Sequence, residues 1–551
     1  MEELAERHET FYFSSYDERK DLAKKVLDAV LKDEWCYSSN WVEKSCKLEK
    51  SDPQRIEDIV SYNRFLMGLV VKTWLNTFIT RKITYSQGYH PECPYMYWTD
   101  IDDNYCTYGP FIVDNLKVEL FCDKLIPRGE SEIYTERCKE GTVSVVLGAG
   151  NANFLSIIDV FERVFTHSEC VMLKHHPLRP FLYKPYECIL EPLISDNIVR
   201  MVYNMENNQK LIQNPYVGHI HFTGSEGTYK AISDSTCVDI TGELGCATPW
   251  IILPGKWTEN EINNAATQIV NAKIANGGAI CCSPQVILLC DNWVQKNDFY
   301  FRLSEKIREK KPGGCYYPGA IRRKNLIQKR YEKYLSAYSI SYPSQSKGVN
   351  QDDMVLFINL GILNGTNKYD DYILRNEAFC PVLACGFIEC GDIQDYVKKV
   401  CEFVNSNKLC GSLSCTVLTP KSLESKYVDE CKRLLNYGTI IINMWSVFGY
   451  ITALSGGTWG AHYSDRRSGR GRIGNMFRIK NVTKTIISGH KLEKPTIYMY
   501  DLPPKLIMDL LYVINVHCST FREKVYKTCC FLFNRLISNI YGQKPQYGSV
   551  L

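Results

Sequence analysis

Apolar residues recur at helical spacing through residues 16 to 80, as in Leu22, Val26, Leu27, Val30 and Leu31 with charged residues between them. A period near 3.6 predicts amphipathic packing helices. From Val143 the pattern changes. TVSVVLGAGN, ECVMLKHHP, IVRMVYNM and GHIHFTGS are short apolar runs separated by helix-like stretches, the first of which starts at about Ser156. Strands alternating with helices predict a parallel α/β sheet. CVDITGELG, TPWIILPG, the helix EINNAATQIVNAKIANGG and SPQVILLC continue the alternation into a second α/β block.

Three stretches break this rhythm. Residues Tyr316 to Asp353 are polar and basic, with Pro318 and Pro343, and read as a surface excursion. FIVDNLKVELF at 111–121 and KNVTKTIIS at 480–488 read as strands outside the main alternation, available in part for subunit contact. Beyond Pro495, Pro503 and Pro504 precede LIMDLLYVINV and a basic stretch from Phe521 to Ile540. There Lys524, Lys527 and Arg535 interleave with Val525, Cys529, Phe531 and Leu536. A helical hairpin packed on the body is the preferred reading. A weak membrane-surface contact, helped by acylation at Cys529 or Cys530, is the other.

Composition narrows the class. A chain of 551 residues with 45% hydrophobic content supplies apolar material for two or three domains. A net charge of +4 is too weak a bias to imply nucleic acid as a partner. The opening MEELAERHETFYFSSYDERK has no apolar leader core, and no run reaches bilayer-spanning length, so a cytoplasmic protein is expected. The 24 cysteines are scattered, which favours reduced thiols. Cys380, Cys385 and Cys390 recur every five residues, but without a CxxC pair or clustered His no metal site is expected.

Covalent carbonyl chemistry with hydride transfer needs a nucleophile, an oxyanion donor, a base and a cofactor cradle. Cys281 follows ANGGAI, where Gly277 and Gly278 allow close approach of the chain to a substrate. Taken alone it is one more inert thiol. Glu243 in TGELG stands 38 residues earlier at a strand end, where partial burial suits a base for water. Asn151 ends VSVVLGAGN, and its amide there can serve an oxyanion together with the Cys281 backbone N–H.

GAGNANF, VMLK, HFTGS, GELG, GGAICC, NEAFCPV and SGRGR occur in the order of the landmarks of the aldehyde dehydrogenase superfamily, which residues 140 to 490 therefore resemble. Spacing agrees: 23 residues separate Asn151 from Lys174, and 96 separate Cys281 from Glu377. The resemblance implies an α/β fold with a Rossmann-type cofactor domain, an α/β catalytic domain and a small strand-rich oligomerisation element. Boundaries follow at 1–110 for helical packing, 111–242 for the cofactor domain with a strand hairpin at 111–140, and 243–440 for the catalytic domain. A return segment with an oligomerisation strand takes 441–490, and a helical tail takes 491–551.

The same resemblance assigns Cys281 as nucleophile, Asn151 as oxyanion donor and Glu243 as the base for thioester hydrolysis. Lys174 is assigned to the adenosine ribose, Gly224 and Ser225 to the pyrophosphate, and Glu377 with Phe379 to the nicotinamide end of NAD or NADP. A small aldehyde as substrate and a homodimer as assembly are implied with them.

Several positions depart from the family pattern. Pro177 stands where an acidic ribose ligand is usual, Tyr229 where a glycine is usual, and Cys380 replaces the glycine of ExFGP. His175 and His176 raise the question of a 2′-phosphate. Gly150 replaces a bulky residue before Asn151, which predicts a wider substrate entrance that Gly150→Trp narrows. Arg466, Arg467, Arg470 and Arg472 form a basic loop, either a solvated face or a means of steering an anion. Two further functions stay open: an acyl-CoA or acyl-thioester reductase, and a catalytically silent nucleotide-binding relative.

Overall fold

A computed structural model of the chain describes residues 1–80, 86–90, 93–100, 107–108, 111–112, 117–122, 141–202, 208–310, 314–332, 351–364, 371–455, 457–476, 482–493, 504–518 and 522–529. Two sheets organise it. The smaller has six strands in the spatial order Gly469–Arg470, Asp239–Leu244, Val217–Gly224, Val143–Leu147, Val171–Lys174 and Val199–Val202. All but Gly469–Arg470 run parallel. Val143, Val145, Val146, Val171 and Leu173 are fully buried, because helices cover both faces of a parallel sheet. Strand order reverses between Val143–Leu147 and Val217–Gly224, and a crevice opens beyond the carboxyl ends of two strands that diverge in this way.

Amphipathic helices at the start of the chain close over the smaller sheet. Tyr16–Leu31 begins with a capping box in which Ser15 and Glu18 bind each other's backbone N–H. The 25-residue helix Ile56–Thr80 brings Trp74 and Phe78 against Phe161 and Phe165. Lys505–Val516 then docks on that helix, with Met508 among Tyr62, Phe65 and Leu69. The Lys72 ammonium donates to the carbonyls of Asn515 at 2.8 Å and Cys518 at 3.3 Å, and His517 meets Asp33 at 2.9 Å. This part of the tail therefore packs on the body. Residues 522–529 are helical and leave Val525 and Tyr526 exposed, while Cys530 and the rest of the basic stretch fall outside the described residues. Among the described residues no helix is long and apolar enough to cross a membrane.

The larger sheet has ten strands. Seven run parallel, in the order Val482–Ser488, Thr439–Ile442, Ser414–Leu418, Pro249–Ile252, Val286–Cys290, Val382–Ile388 and Leu356–Ile362. Lys117–Cys122, Cys93–Asp100 and Ser86–His90 extend it antiparallel. The reading of 480–488 as a strand outside the main alternation is corrected, since Val482–Ser488 is a parallel member of this sheet, whereas Lys117–Cys122 stays outside the parallel run and Phe111–Ile112 pairs with Thr107–Tyr108 in a separate sheet. Ile486 faces Glu119 across the ladder, and Val482–Ser488 also pairs with Thr439–Ile442. The reason is burial: Val482, Ile486 and Ile487 are shielded on both faces, which a strand standing apart cannot achieve.

The excursion at Tyr316 to Asp353 is likewise more than surface. It contains the helix Ala320–Arg330, whose Ala320, Lys324 and Ile327 are buried, and the Lys324 ammonium donates to the Asp352 carbonyl at 2.9 Å. Residues 333–350 of that stretch lie outside the described residues.

Behind the smaller sheet, Arg163 binds the fully buried Glu169 with both arms of its guanidinium. Removing one partner strands a buried charge, so Glu169→Ala is expected to lower unfolding free energy by about 3–5 kcal/mol. Asp21→Ala, which breaks an exposed pair with Lys24, leaves it essentially unchanged, because water screens such a pair. Urea midpoints of the two variants check the contrast.

Candidate active site

The turn after Val143–Leu147 faces the loop carrying Cys281 across one cavity of about 330 Å³. Asn151 lies four residues past the end of its strand rather than at the strand end, in a turn. Its side-chain N–H donates to the Ala279 carbonyl at 3.0 Å, while the Asn276 side chain donates to the Asn151 carbonyl at 2.7 Å. These reciprocal bonds hold the two loops in register. Because an amide has two N–H groups, Asn151 keeps one for a ligand.

The Cys281 loop needs its glycines. After the helix Glu259–Ile274, a short 3-10 turn runs through Asn276, Gly277 and Gly278 with φ of +52°, +59° and +75°. A Cβ on Gly278 would lie 2.6 Å from the Cys380 backbone, so close packing as well as conformation demands glycine. Cys281 is half-buried at the cavity, whereas Cys282 is 1% exposed and its carbonyl accepts from the Trp445 indole at 2.9 Å. The Cys281 thiol is pushed well above its ordinary value, first by hydrogen bonding with Cys282, then by burial and by the charges of Cys282 and Glu377. Its own backbone N–H acts the other way.

Glu243, in Asp239–Leu244, lines the same cavity and is 9% exposed. Burial, then Asp159, Cys281 and Glu162, push its carboxyl well above the usual range. Its Oε1 is buried and has no hydrogen-bond partner. Glu377 behaves alike: burial raises it to about 8 against the pull of Arg323 and Lys273, and its Oε1 is also unpartnered. A Cβ on Gly245 would come within 1.8 Å of that oxygen, so any larger residue in GELG would displace the Glu377 carboxyl. Phe379 sits at φ +46°, an unusual conformation for an aromatic residue. Arg323 holds this strained loop by donating to the carbonyls of Ala378 at 2.9 Å and Phe379 at 3.2 Å.

A dinucleotide finds a fit at one end of this site. Gly224 and Ser225 line the cavity at the start of the helix Glu226–Ser233, whose Thr228 N–H donates to the Ser225 hydroxyl. A helix N-terminus favours phosphate. Phe379 and the unpartnered oxygen of Glu377 share the cavity with Cys281. Lys174 does not line it. The Lys174 backbone carbonyl accepts from Gly148 at 3.0 Å, and burial lowers the pKa of its ammonium. Tyr229 packs its ring beside Gly242 and donates to the Ile240 carbonyl at 3.2 Å. His175 and His176 are held down to about 4, by burial first and Lys174 second, so both are neutral near pH 7.

Two expectations change. A Cβ on Gly150 would meet the His176 ring at 2.5 Å, so the space left by the missing side chain is filled from within and the entrance is not widened. A tryptophan there collides with His176 instead of narrowing a channel. The basic loop is stitched to its surroundings: Arg467 binds Asp465 and the Leu409 carbonyl, Arg470 binds Asp239, and Arg472 binds the Thr483 carbonyl. Gly469–Arg470 also pairs with Gly242 and Glu243, so Arg470 braces the strand of Glu243, and Arg467, Arg470 and Arg472 are committed to protein partners.

Sequence reading missed Arg179. It is 1% exposed and donates to the Gly150 carbonyl at 2.7 Å, to Glu49 at 2.8 Å and to the Tyr316 hydroxyl at 3.2 Å. No local pattern marks it, since its partners come from three distant segments. Arg323 was missed for the same reason.

Comparison with known proteins agrees with this geometry. The model of the aldehyde dehydrogenase family matches residues 169–482. No curated protein matches the chain by sequence. Among solved structures, the chain is similar to a succinic semialdehyde dehydrogenase from Streptococcus pyogenes, with a TM-score of 0.59, 14% identity and coverage of 89% of this chain and 94% of that one. A betaine aldehyde dehydrogenase from Staphylococcus aureus gives 0.59, 14%, 90% and 88%. A salicylaldehyde dehydrogenase from Pseudomonas putida G7 gives 0.57, 15%, 88% and 88%. At these identities the structures show a shared fold.

Glu377 binds its proton more tightly folded than unfolded, so stability is expected to fall as pH rises from about 4.5 to about 8. Glu377→Gln removes that contribution. The variant should exceed the parent in unfolding free energy at pH 8 by an amount on the order of a few kcal/mol, and the gap should close toward pH 5. Urea titrations at both pH values measure it.

Proposed function

Since the chain belongs to the aldehyde dehydrogenase family, we propose that Cys281, Glu243 and Asn151 oxidise an aldehyde to its carboxylic acid with NAD or NADP. The observation that carries this reading is their convergence on one cavity with the Glu377 and Phe379 loop. The Cys281 sulfur gives up its proton to solvent and adds to the carbonyl carbon. The resulting oxyanion takes the free N–H of Asn151 and the Cys281 backbone N–H. Gly224, Ser225, Glu377 and Phe379, with Lys174 assigned to the ribose, would hold the dinucleotide, which would accept the hydride that leaves this carbon. Glu243 in its ionised form, made a stronger base by its raised pKa, then takes a proton from water, the hydroxide attacks the thioester on Cys281, and as the acid departs Glu243 returns that proton to the sulfur and the thiol re-forms.

Neutral His175 and His176 bring no charge to select a 2′-phosphate, so either coenzyme suits the site. Acyl-thioester reduction is disfavoured by the placement of Glu243, a base such a reaction does not need. In this reading the smaller sheet belongs to the cofactor domain and the larger to the catalytic domain. The protein works in the cytoplasm, consistent with the free thiols of its described cysteines, and as a homodimer, for which the open edge strand Ser86–His90 is a suitable surface.

Purified protein with aldehydes and either coenzyme, followed at the nicotinamide absorbance, tests the assignment. Cys281→Ala is expected to abolish turnover. Glu243→Gln should preserve the first-turnover burst while lowering the steady rate about 10²–10⁴-fold. Turnover that survives Cys281→Ala would sink the mechanism.

A further inference from the structure

The lining of the cavity at Cys281 is chemically one-sided. Leu66 from Ile56–Thr80, Phe154 from the turn before Leu155–Phe161, Val447, Phe448 and Tyr450 from Val447–Ala453, and Trp459 form a continuous apolar wall. Tyr450 is its centre, with ring centroids 6.1 Å from Phe154 and 6.1 Å from Trp459. Leu66 and Ile451 join the first and third of these elements through a shared cluster around Met508.

The charged lining residues are all engaged or disfavoured as ions. Glu49 is paired with Arg179 at 2.8 Å. Arg323 is occupied by the Ala378 and Phe379 carbonyls on the loop of Glu377. Glu243 and Glu377 are pushed toward their neutral forms by burial. An anionic aldehyde thus meets carboxyl groups and no uncommitted cation. A cationic one loses its water without gaining a paired carboxylate, and burial of an uncompensated charge is strongly unfavourable. We propose that this site takes an uncharged, apolar aldehyde, aliphatic or aromatic, seated against the wall of Leu66, Phe154, Val447, Phe448, Tyr450 and Trp459. The inference rests on the aldehyde-oxidation reading and adds the substrate class.

The test compares kcat/KM of the full chain for hexanal and benzaldehyde with that for succinic semialdehyde, an anion, and betaine aldehyde, a cation. At least about a 100-fold preference for the uncharged pair is expected. Leu66→Arg and, independently, Val447→Arg place a cation in the wall from two separate helices, at half-buried positions. Each should gain at least about 10-fold on succinic semialdehyde and lose at least about 10-fold on hexanal. Equal rates, or preference for either charged aldehyde by the unmodified protein, overturns the substrate class while leaving aldehyde oxidation intact. No turnover of any of the four with either coenzyme overturns the aldehyde reading itself, and the substrate class with it. Two folded arginine variants that keep the parental preference also contradict the proposed wall.

Discussion

The loop that carries Cys281 has no regular structure of its own, and its position depends on the reciprocal amide bonds between Asn151, Ala279 and Asn276. They connect the turn after the central strand of the smaller sheet to the helix end that feeds the larger one. Each amide group does two tasks, since Asn151 both anchors the loop and keeps one N–H free. Arg179 supports the same turn from behind through the Gly150 carbonyl and through Ser45, Glu49 and Tyr316. Shifting either loop would separate the sulfur from its proposed oxyanion donor, and displacements on the order of 1 Å at such sites cost rate heavily.

Burial gives this arrangement its chemistry. Two carboxyls and a thiol lie together in a cavity with apolar walls; burial disfavours the ionisation of all three, and Cys281 adds to this at Glu243 as Glu377 does at Cys281. A thiolate is thus unfavourable at rest, and the sulfur must give up its proton as it attacks. Glu243 is held at the cavity because Asp239–Leu244 is clamped between Val217–Gly224 on one side and Gly469–Arg470 on the other. The arginine loop thereby acts on chemistry through backbone pairing.

Much of this was legible in the residues. The short apolar runs marked the parallel strands because both faces of such strands are buried, and GAGN, GELG and GGAICC marked the loops that meet at the cavity. What stayed hidden was tertiary. The larger sheet takes in Lys117–Cys122 and Val482–Ser488 through pairing between segments more than 300 residues apart, which no local period encodes. Arg179 and Arg323 look like ordinary surface cations until their carbonyl partners are known. Gly150 suggested empty space, yet the His176 ring occupies it, since a glycine says only that a side chain is missing and not what replaces it.

In the proposed reaction an acyl group passes through the Cys281 sulfur and leaves by way of Glu243. Intact-protein mass spectrometry of Glu243→Gln, after brief exposure to benzaldehyde and coenzyme, examines it directly. The account predicts a mass gain equal to one benzoyl group, mapped by peptide digestion to Cys281 and removed by hydroxylamine. An adduct on Cys282 instead, or coenzyme reduction with no covalent adduct at any time before turnover, would contradict it.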